Sequence, residues 1–158
     1  MKKFGFYLLA ACFIFAGQFL RDSDLVTGKP PDIAQPTLSN LPAIALVSRG
    51  PAVIYFWAEW CGICAMMQNS MTALAADYPQ LTIALRSGAD NKVENYLQQH
   101  HLAWPVVNDE HGAIARRFGV NAVPAVFIVD NDGEIVFTSI GYSTEWGLRL
   151  RLRLAEFF

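Results

Sequence analysis

A chain of 158 residues, 53% of them hydrophobic, has the apolar mass for one well-packed domain and no room for a second of similar size. A formal net charge of −2 offers no electrostatic grip on nucleic acid or on any strongly charged partner. Three cysteines are too few for a fold stapled together by disulfides.

The chain opens with an apolar run, Phe4–Leu20, behind Lys2 and Lys3. At about 1.5 Å per residue the run spans roughly 25 Å, near the lower limit for a membrane helix. The lysines favour a cytoplasmic N-terminus, which would carry the rest of the chain across the bilayer. Residues 1–21 are therefore expected to be an uncleaved N-terminal anchor. Two alternatives stay open. A cleaved signal segment is one, although no good small-x-small site follows the run. The other is a lipoprotein, because Leu9-Ala10-Ala11-Cys12 resembles a lipobox in which Cys12 would be acylated. Against it, Phe13-Ile14-Phe15 prolong the apolar run where a polar tether would be natural. All three readings put the remainder outside the cytoplasm.

Residues 22–42 read as a linker that holds the domain off the bilayer. Four of the eight prolines fall there (Pro30, Pro31, Pro36, Pro42), with little periodic apolar pattern. The folded domain is expected over residues 43–158. Ile44–Val47 is a candidate first short strand. Ala52–Trp57 is uninterrupted and apolar, as a central buried strand should be. Cys61–Tyr78 carries a helical pattern ended by Pro79, since the residue before proline resists helical geometry. Leu81–Leu85 reads as a second buried strand. Asn91–His100 reads as a helix with Val93 and Leu97 on one face. Trp104–Val107 is a short extended segment. Ala113–Phe118 is a short helix stopped by Gly119. Val126–Val129 and Ile135–Ser139 form a hairpin across Asn131-Asp132-Gly133. Thr144–Phe157 is the last helix, capped by Ser143 or Thr144. The order βαβαβαββα predicts an α/β fold, a mixed central sheet flanked by helices.

The chemistry gathers at one junction. Trp57-Ala58-Glu59-Trp60-Cys61-Gly62-Ile63-Cys64 leads from the central strand into the first helix. A Cys-x-x-Cys pair there can close and reopen a small disulfide. Cys61 falls at the helix N-terminus, where free N–H groups and the helix dipole favour a thiolate. The thiolate is the species that attacks disulfides, so Cys61 is the expected nucleophile. Cys64, one turn further in, is the expected resolving thiol. As a staple the pair would do little, because the loop it closes is tiny. Zinc is the alternative use of such a pair, but zinc takes about four ligands and no second Cys pair exists.

These residues resemble the active-site signature of the thioredoxin superfamily. Two further motifs agree in order. Val123-Pro124, inside Gly119–Ala125 and before the run Val126–Val129, is similar to the hydrophobic residue and cis-proline that face the Cys pair in that family. Asp130-Asn131-Asp132-Gly133-Glu134, followed by Ile135-Val136-Phe137 and Gly141, resembles its hairpin turn. The extra helix and strand over 90–118 resemble the TlpA branch, membrane-anchored thioredoxins that serve cytochrome c maturation. Ala84–Gly88, Pro105–Asp109 and Gly147–Leu152 are similar to the thioredoxin-like proteins of bacterial suppressor-of-copper-sensitivity systems. The resemblance implies a thioredoxin-like fold with a TlpA-type insertion. It implies catalysis by Cys61 and Cys64, client binding at Trp60, Val123 and Pro124, and neither metal nor organic cofactor.

Two positions depart from the family. Tyr55 stands where thioredoxin has a buried Asp that moves the resolving thiol's proton, and Met67 where the cytochrome-maturation relatives often carry Glu. Glu59 is close in sequence, but in the family its position faces solvent. The proton acceptor is therefore unassigned. Met66, Met67 and Met71 would suit Cu(I), but Met67, Met71 and Leu74 also fall at the spacing of a buried helix stripe. His100, His101 and His111 are expected at the surface. Arg149, Arg151 and Arg153 read as a solvated basic face, with contact to anionic lipid headgroups as the alternative.

The expectation is a protein thiol–disulfide oxidoreductase anchored in the bacterial inner membrane, with its catalytic domain in the periplasm. Its clients would be proteins with disulfides or thiols, and a membrane redox partner would exchange electrons with it. Ile63 supplies no charge to stabilise a thiolate, which favours the reductase direction. A copper-binding chaperone and a non-turnover assembly factor on the same fold are the alternatives.

Overall fold

The computed structural model describes residues 25–48 and 50–158; the anchor expected over 1–21, with Cys12, lies outside them. Among the described residues no helix is long and apolar enough to cross a membrane.

Five strands form one sheet: β1 (Ala52–Trp57), β2 (Gln80–Leu85), β3 (Val106–Asp109), β4 (Ala125–Val129) and β5 (Ile135–Ile140), in the order β3-β2-β1-β4-β5. β1 pairs parallel with β2 and antiparallel with β4. β3 extends the parallel side, and β5 closes the antiparallel edge. The helices are α1 (Gly62–Ala75), α2 (Asp90–Gln99), α3 (Ala113–Arg117) and α4 (Glu145–Ala155). The mixed sheet with helices on both faces is the thioredoxin-like fold the motifs implied, and α2 with β3 forms the inserted unit.

Why β1 lies in the middle follows from its composition. All six residues are apolar and buried, so both of its faces must be covered. Alternation then divides the interior in two. Ile54 and Phe56 point to one side, with Ile114 and Phe118 of the α3 region and Phe127 of β4. Phe56, Phe118 and Phe127 pack there at tilted or edge-on angles, with centroids 5.2 to 5.5 Å apart. Val53, Tyr55 and Trp57 point to the other side, against Cys64, Met67, Met71 and Leu74 of α1 and Leu148 and Leu152 of α4.

Helix ends are set by local polar groups. The Thr144 hydroxyl accepts the Gly147 N–H and caps α4, which decides between the two candidate caps. The Asp109 carboxylate accepts from Ile114 and Ala115 at the start of α3. Asp130 accepts from Asp132 and Glu134 and holds the β4–β5 turn. Gly50 passes so close to this turn that an added Cβ would sit 1.9 Å from the Asp130 carbonyl oxygen.

Two expectations need correction. Ile44–Val47 is not a strand but a 3₁₀ turn over Ile44–Leu46. The N–H groups of Ala45, Leu46 and Val47 bond three residues back, to Pro42, Ala43 and Ile44, so the segment satisfies itself without a sheet partner. The described part of the expected linker, residues 25–42, is packed rather than free. Leu25 and Ile33 lie in the core, Val26 N–H donates to the Phe118 carbonyl, Gly28 bridges to Ile135, and Leu38 N–H donates to Val106. The prolines there shape a strap over the sheet; they do not keep it extended in solvent.

Ile33, only 3% exposed, distinguishes a strap from a linker. Ile33→Ala is expected to lower unfolding free energy by about 2–5 kcal/mol, the range for truncating a buried aliphatic side chain. Denaturant melts of the two proteins measure it. A change near zero would return the segment to the linker class.

Candidate redox site

Cys61 is the N-cap of α1, reached directly from β1 by the turn Ala58–Trp60. Its extended backbone begins the helix, and its sulfur occupies the place that a capping oxygen usually takes. The Cys64 N–H donates to Cys61 Sγ at 3.1 Å. No acidic residue stands in the first turn of α1, so the positive end of the helix acts on the sulfur undiluted. Both effects favour negative charge on Cys61 over Cys64. In the structure the two are joined as a disulfide, with Cα atoms 5.2 Å apart. Cys61 is 7% exposed and Cys64 2%. Cys61 is thus the less buried of the two, although both are buried.

The second motif arrives from the other side of the sheet. The start of β4 brings the Val123 carbonyl oxygen to 3.7 Å from Cys61 Sγ, where a reduced thiol can donate to it. The Val123–Pro124 peptide is cis, as the resemblance implied; Gly50–Pro51, also cis, was not anticipated. Pro124 has no N–H to offer the sulfurs, and its carbonyl accepts the Gly141 N–H at 2.8 Å. Val123 therefore stands against Cys61, with Pro124 next to it in the chain and Trp60 immediately before Cys61.

Sequence reasoning missed the grip on Trp60. Its indole N–H donates to the Arg86 carbonyl at 3.1 Å while the side chain stays 61% exposed. Arg86 has a left-handed backbone (φ 47°), which turns that carbonyl toward the indole. The buried Ser87 hydroxyl accepts the Glu59 N–H and donates to the Leu85 carbonyl. Glu59 also pairs with Lys92 of α2. The β2–α2 loop thus clamps the residues before Cys61 and leaves one face of Trp60 open as a platform. The partners on Trp60 and Glu59 include backbone groups and a lone Ser, which carry no motif.

A sequence profile of the AhpC/TSA family matches residues 29–138, more than half of the chain. The chain belongs to that family. Within it, a thioredoxin-like protein of Haemophilus influenzae is 34% identical over 115 residues, covering 72% of this chain and 68% of its own. The thiol-disulfide oxidoreductase ResA of Bacillus thuringiensis subsp. konkukian is 25% identical, covering 84% of this chain and 80% of its own. Among solved structures, a Chlorobium tepidum protein described as a candidate thiol:disulfide interchange protein DsbE superposes with a TM-score of 0.74 at 23% identity. That match covers 83% of this chain and 98% of the other, and supports the fold. Together they make the chain a TlpA-like member of the thioredoxin superfamily in this AhpC/TSA group. With its Cys61–Cys64 pair it falls in the thiol–disulfide oxidoreductase class.

The two departures from family pattern take clear structural form. Met67 and Met71 are wholly buried in the same core cluster as Cys61 and Cys64, whereas Met66 faces solvent. Tyr55 is fully buried, edge-on to Trp104 with centroids 5.9 Å apart, and its hydroxyl finds no partner among the described residues. Burial, and then the neighbouring Tyr96, push its pKa above the ordinary phenol value. Tyr55 is therefore unfit to take a proton from Cys64, and the two carboxylates buried among the described residues, Asp109 and Asp130, are already spent on backbone N–H groups. His100, His101 and His111 are exposed, as expected.

An unpartnered buried hydroxyl costs about 1–3 kcal/mol. Tyr55→Phe is accordingly expected to raise unfolding free energy by about 1 kcal/mol and to leave thiol exchange intact. Paired thermal melts and an exchange assay check it. A loss of stability would show that the hydroxyl holds an internal water.

Proposed function

We propose that the protein is an extracytoplasmic thiol–disulfide oxidoreductase, held to the bacterial inner membrane by residues 1–21, that reduces disulfides of client proteins in the periplasm. The observation that carries the redox part is the Cys64 N–H on Cys61 Sγ, beside the open carbonyl of Val123 and the platform of Trp60. The apolar run behind two lysines supports the anchor.

In the reduced form the Cys61 thiolate attacks one sulfur of a client disulfide. A mixed disulfide forms and one client thiolate leaves. Cys64, once deprotonated, attacks Cys61 Sγ, closes the Cys61–Cys64 disulfide and releases the second client thiolate. Two electrons have passed to the client. The backbone at Val123 lies where an extended client strand can pair with it, and Trp60 covers apolar side chains next to the client cysteine. Ile63 adds no positive charge near the sulfurs, which supports a reducing pair over a strongly oxidising one. In an oxidising compartment the pair then needs a membrane donor to return it to dithiol.

Purified full-length protein in detergent is expected to reduce an insulin-like disulfide at the expense of dithiothreitol. Cys61→Ser should abolish turnover. Cys64→Ala should trap mixed disulfides through Cys61, seen as reducible adducts on non-reducing gels. Retained turnover in Cys61→Ser would remove the nucleophile, and absence of adducts in Cys64→Ala would favour a binding role without exchange.

Intact-mass measurement of membrane-extracted protein is expected to show the N-terminal segment still attached. A mature N-terminus at acylated Cys12 would replace the anchor with a lipid tether.

A further inference from the structure

The last helix has two apolar faces, and only one is used. Leu148, Leu152 and Ala155 are buried against the sheet. On the opposite face Trp146, Leu150 and Leu154 recur every four residues, so they align in one stripe. Trp146 is 83% exposed and Leu150 61%. Phe157, 85% exposed, continues the line just past the helix end, with Phe158 beside it.

Charge is distributed in the same sense. Arg149 binds both Glu145 and Asp77, so it and the acid at the helix start are neutralised locally. Arg153 falls within the stripe and Arg151 on its flank; neither makes an ion pair among the described residues. By helical spacing Glu145 and Glu156 sit on the flank of Arg149, away from the stripe. The outward face is thus Trp, Leu, Leu and Phe with unpaired Arg, the composition that lies flat in a lipid–water interface.

The chain path agrees. Gly28 bridges to Ile135 of β5, and the Phe158 ring rests on Phe137 of the same strand, with centroids 6.0 Å apart. The aromatic end of the stripe and the entry of the chain therefore meet at one sheet edge. Four residues lie between Leu20 and Leu25, and the five steps can reach at most about 17 Å, so an inserted Phe4–Leu20 run would hold this edge near the bilayer. At the other end of α4, exposed Tyr142 and Trp146 follow Gly141, whose N–H binds the Pro124 carbonyl at the redox site.

We propose that the outward face of α4, Trp146, Leu150, Leu154 and Phe157 with Arg151 and Arg153, docks on the anionic lipid surface of the membrane that holds the N-terminal run. This rests on the anchored reading. It would fix the domain's orientation and bring Cys61 to the membrane edge, within reach of a membrane-embedded thiol donor.

The test uses full-length protein with phosphatidylethanolamine vesicles containing phosphatidylglycerol and lipids brominated near the headgroup end of the chain. Trp146 emission is taken as the difference between wild type and Trp146→Phe. Strong quenching is expected, falling as salt is raised and largely lost without phosphatidylglycerol. The double variant Arg151→Gln/Arg153→Gln and, separately, Leu150→Ser should lose most of it while insulin reduction in detergent stays unchanged. Absence of quenching overturns the inference. So does a dimer in detergent in which Trp146 is shielded from aqueous iodide, because a second copy would then be the occupant. Carbonate extraction tests the anchor separately: protein that carbonate releases but lipid still quenches keeps the docking face and discards the anchor, and embedded protein with unquenched Trp146 does the reverse.

Discussion

One backbone amide organises the chemistry of this protein. The Cys64 N–H points at Cys61 Sγ because α1 starts at Cys61, and α1 starts there because β1 ends at Trp57 in the middle of the sheet. β1 is buried on both faces, so its end cannot drift without uncovering Phe56 on one side and Tyr55 and Trp57 on the other. A sulfur at the end of a rigid central strand, under the first free N–H groups of a helix, is where negative charge is most easily held. The facing wall has the same origin. β4 pairs with β1 in register, Phe56 against Ala125, and so delivers Val123 and Pro124 to the sulfur.

The site rests on a buried layer. Met67, Met71 and Tyr55, all wholly buried, share one core cluster with the pair. A family pattern with a carboxylate in this layer could take the resolving thiol's proton from inside. Among the described residues the polar groups without partners in this cluster are the Tyr55 hydroxyl and the Trp57 indole N–H, neither of them a base at neutral pH, so deprotonation of Cys64 is left to the solvent side or to the client's own leaving thiolate. Trp60, held by the Arg86 carbonyl, stays largely exposed beside the pair.

Much of this was legible in the residues. The six-residue apolar run of β1, the helical pattern after Cys61 and the Asn131-Asp132-Gly133 turn each carry a local signal, and each element formed within a few residues of where that signal ended. The Cys pair was legible because its chemistry needs its spacing. The cis bond before Pro124 was legible only through family resemblance. What stayed hidden depends on distant partners. Ile44–Val47 is apolar and short, and nothing in four residues separates a strand from a self-bonded 3₁₀ turn. The segment 25–42 looked like a tether because prolines dominate it, while the backbone bonds of Val26, Gly28 and Leu38 go to Phe118, Ile135 and Val106, far along the chain. The second apolar face of α4 was concealed by its arginines, which alternate with leucines whose burial alternates too.

The central claim is that Cys61 and Cys64 act as one two-electron couple with unequal thiols. Equilibrating the protein in glutathione buffers of graded potential, then alkylating and mapping each cysteine by mass spectrometry, tests it directly. Both thiols are expected to appear together over a single transition, and in the reduced protein Cys61 should alkylate well before Cys64. Separate transitions, or faster alkylation of Cys64, would contradict it.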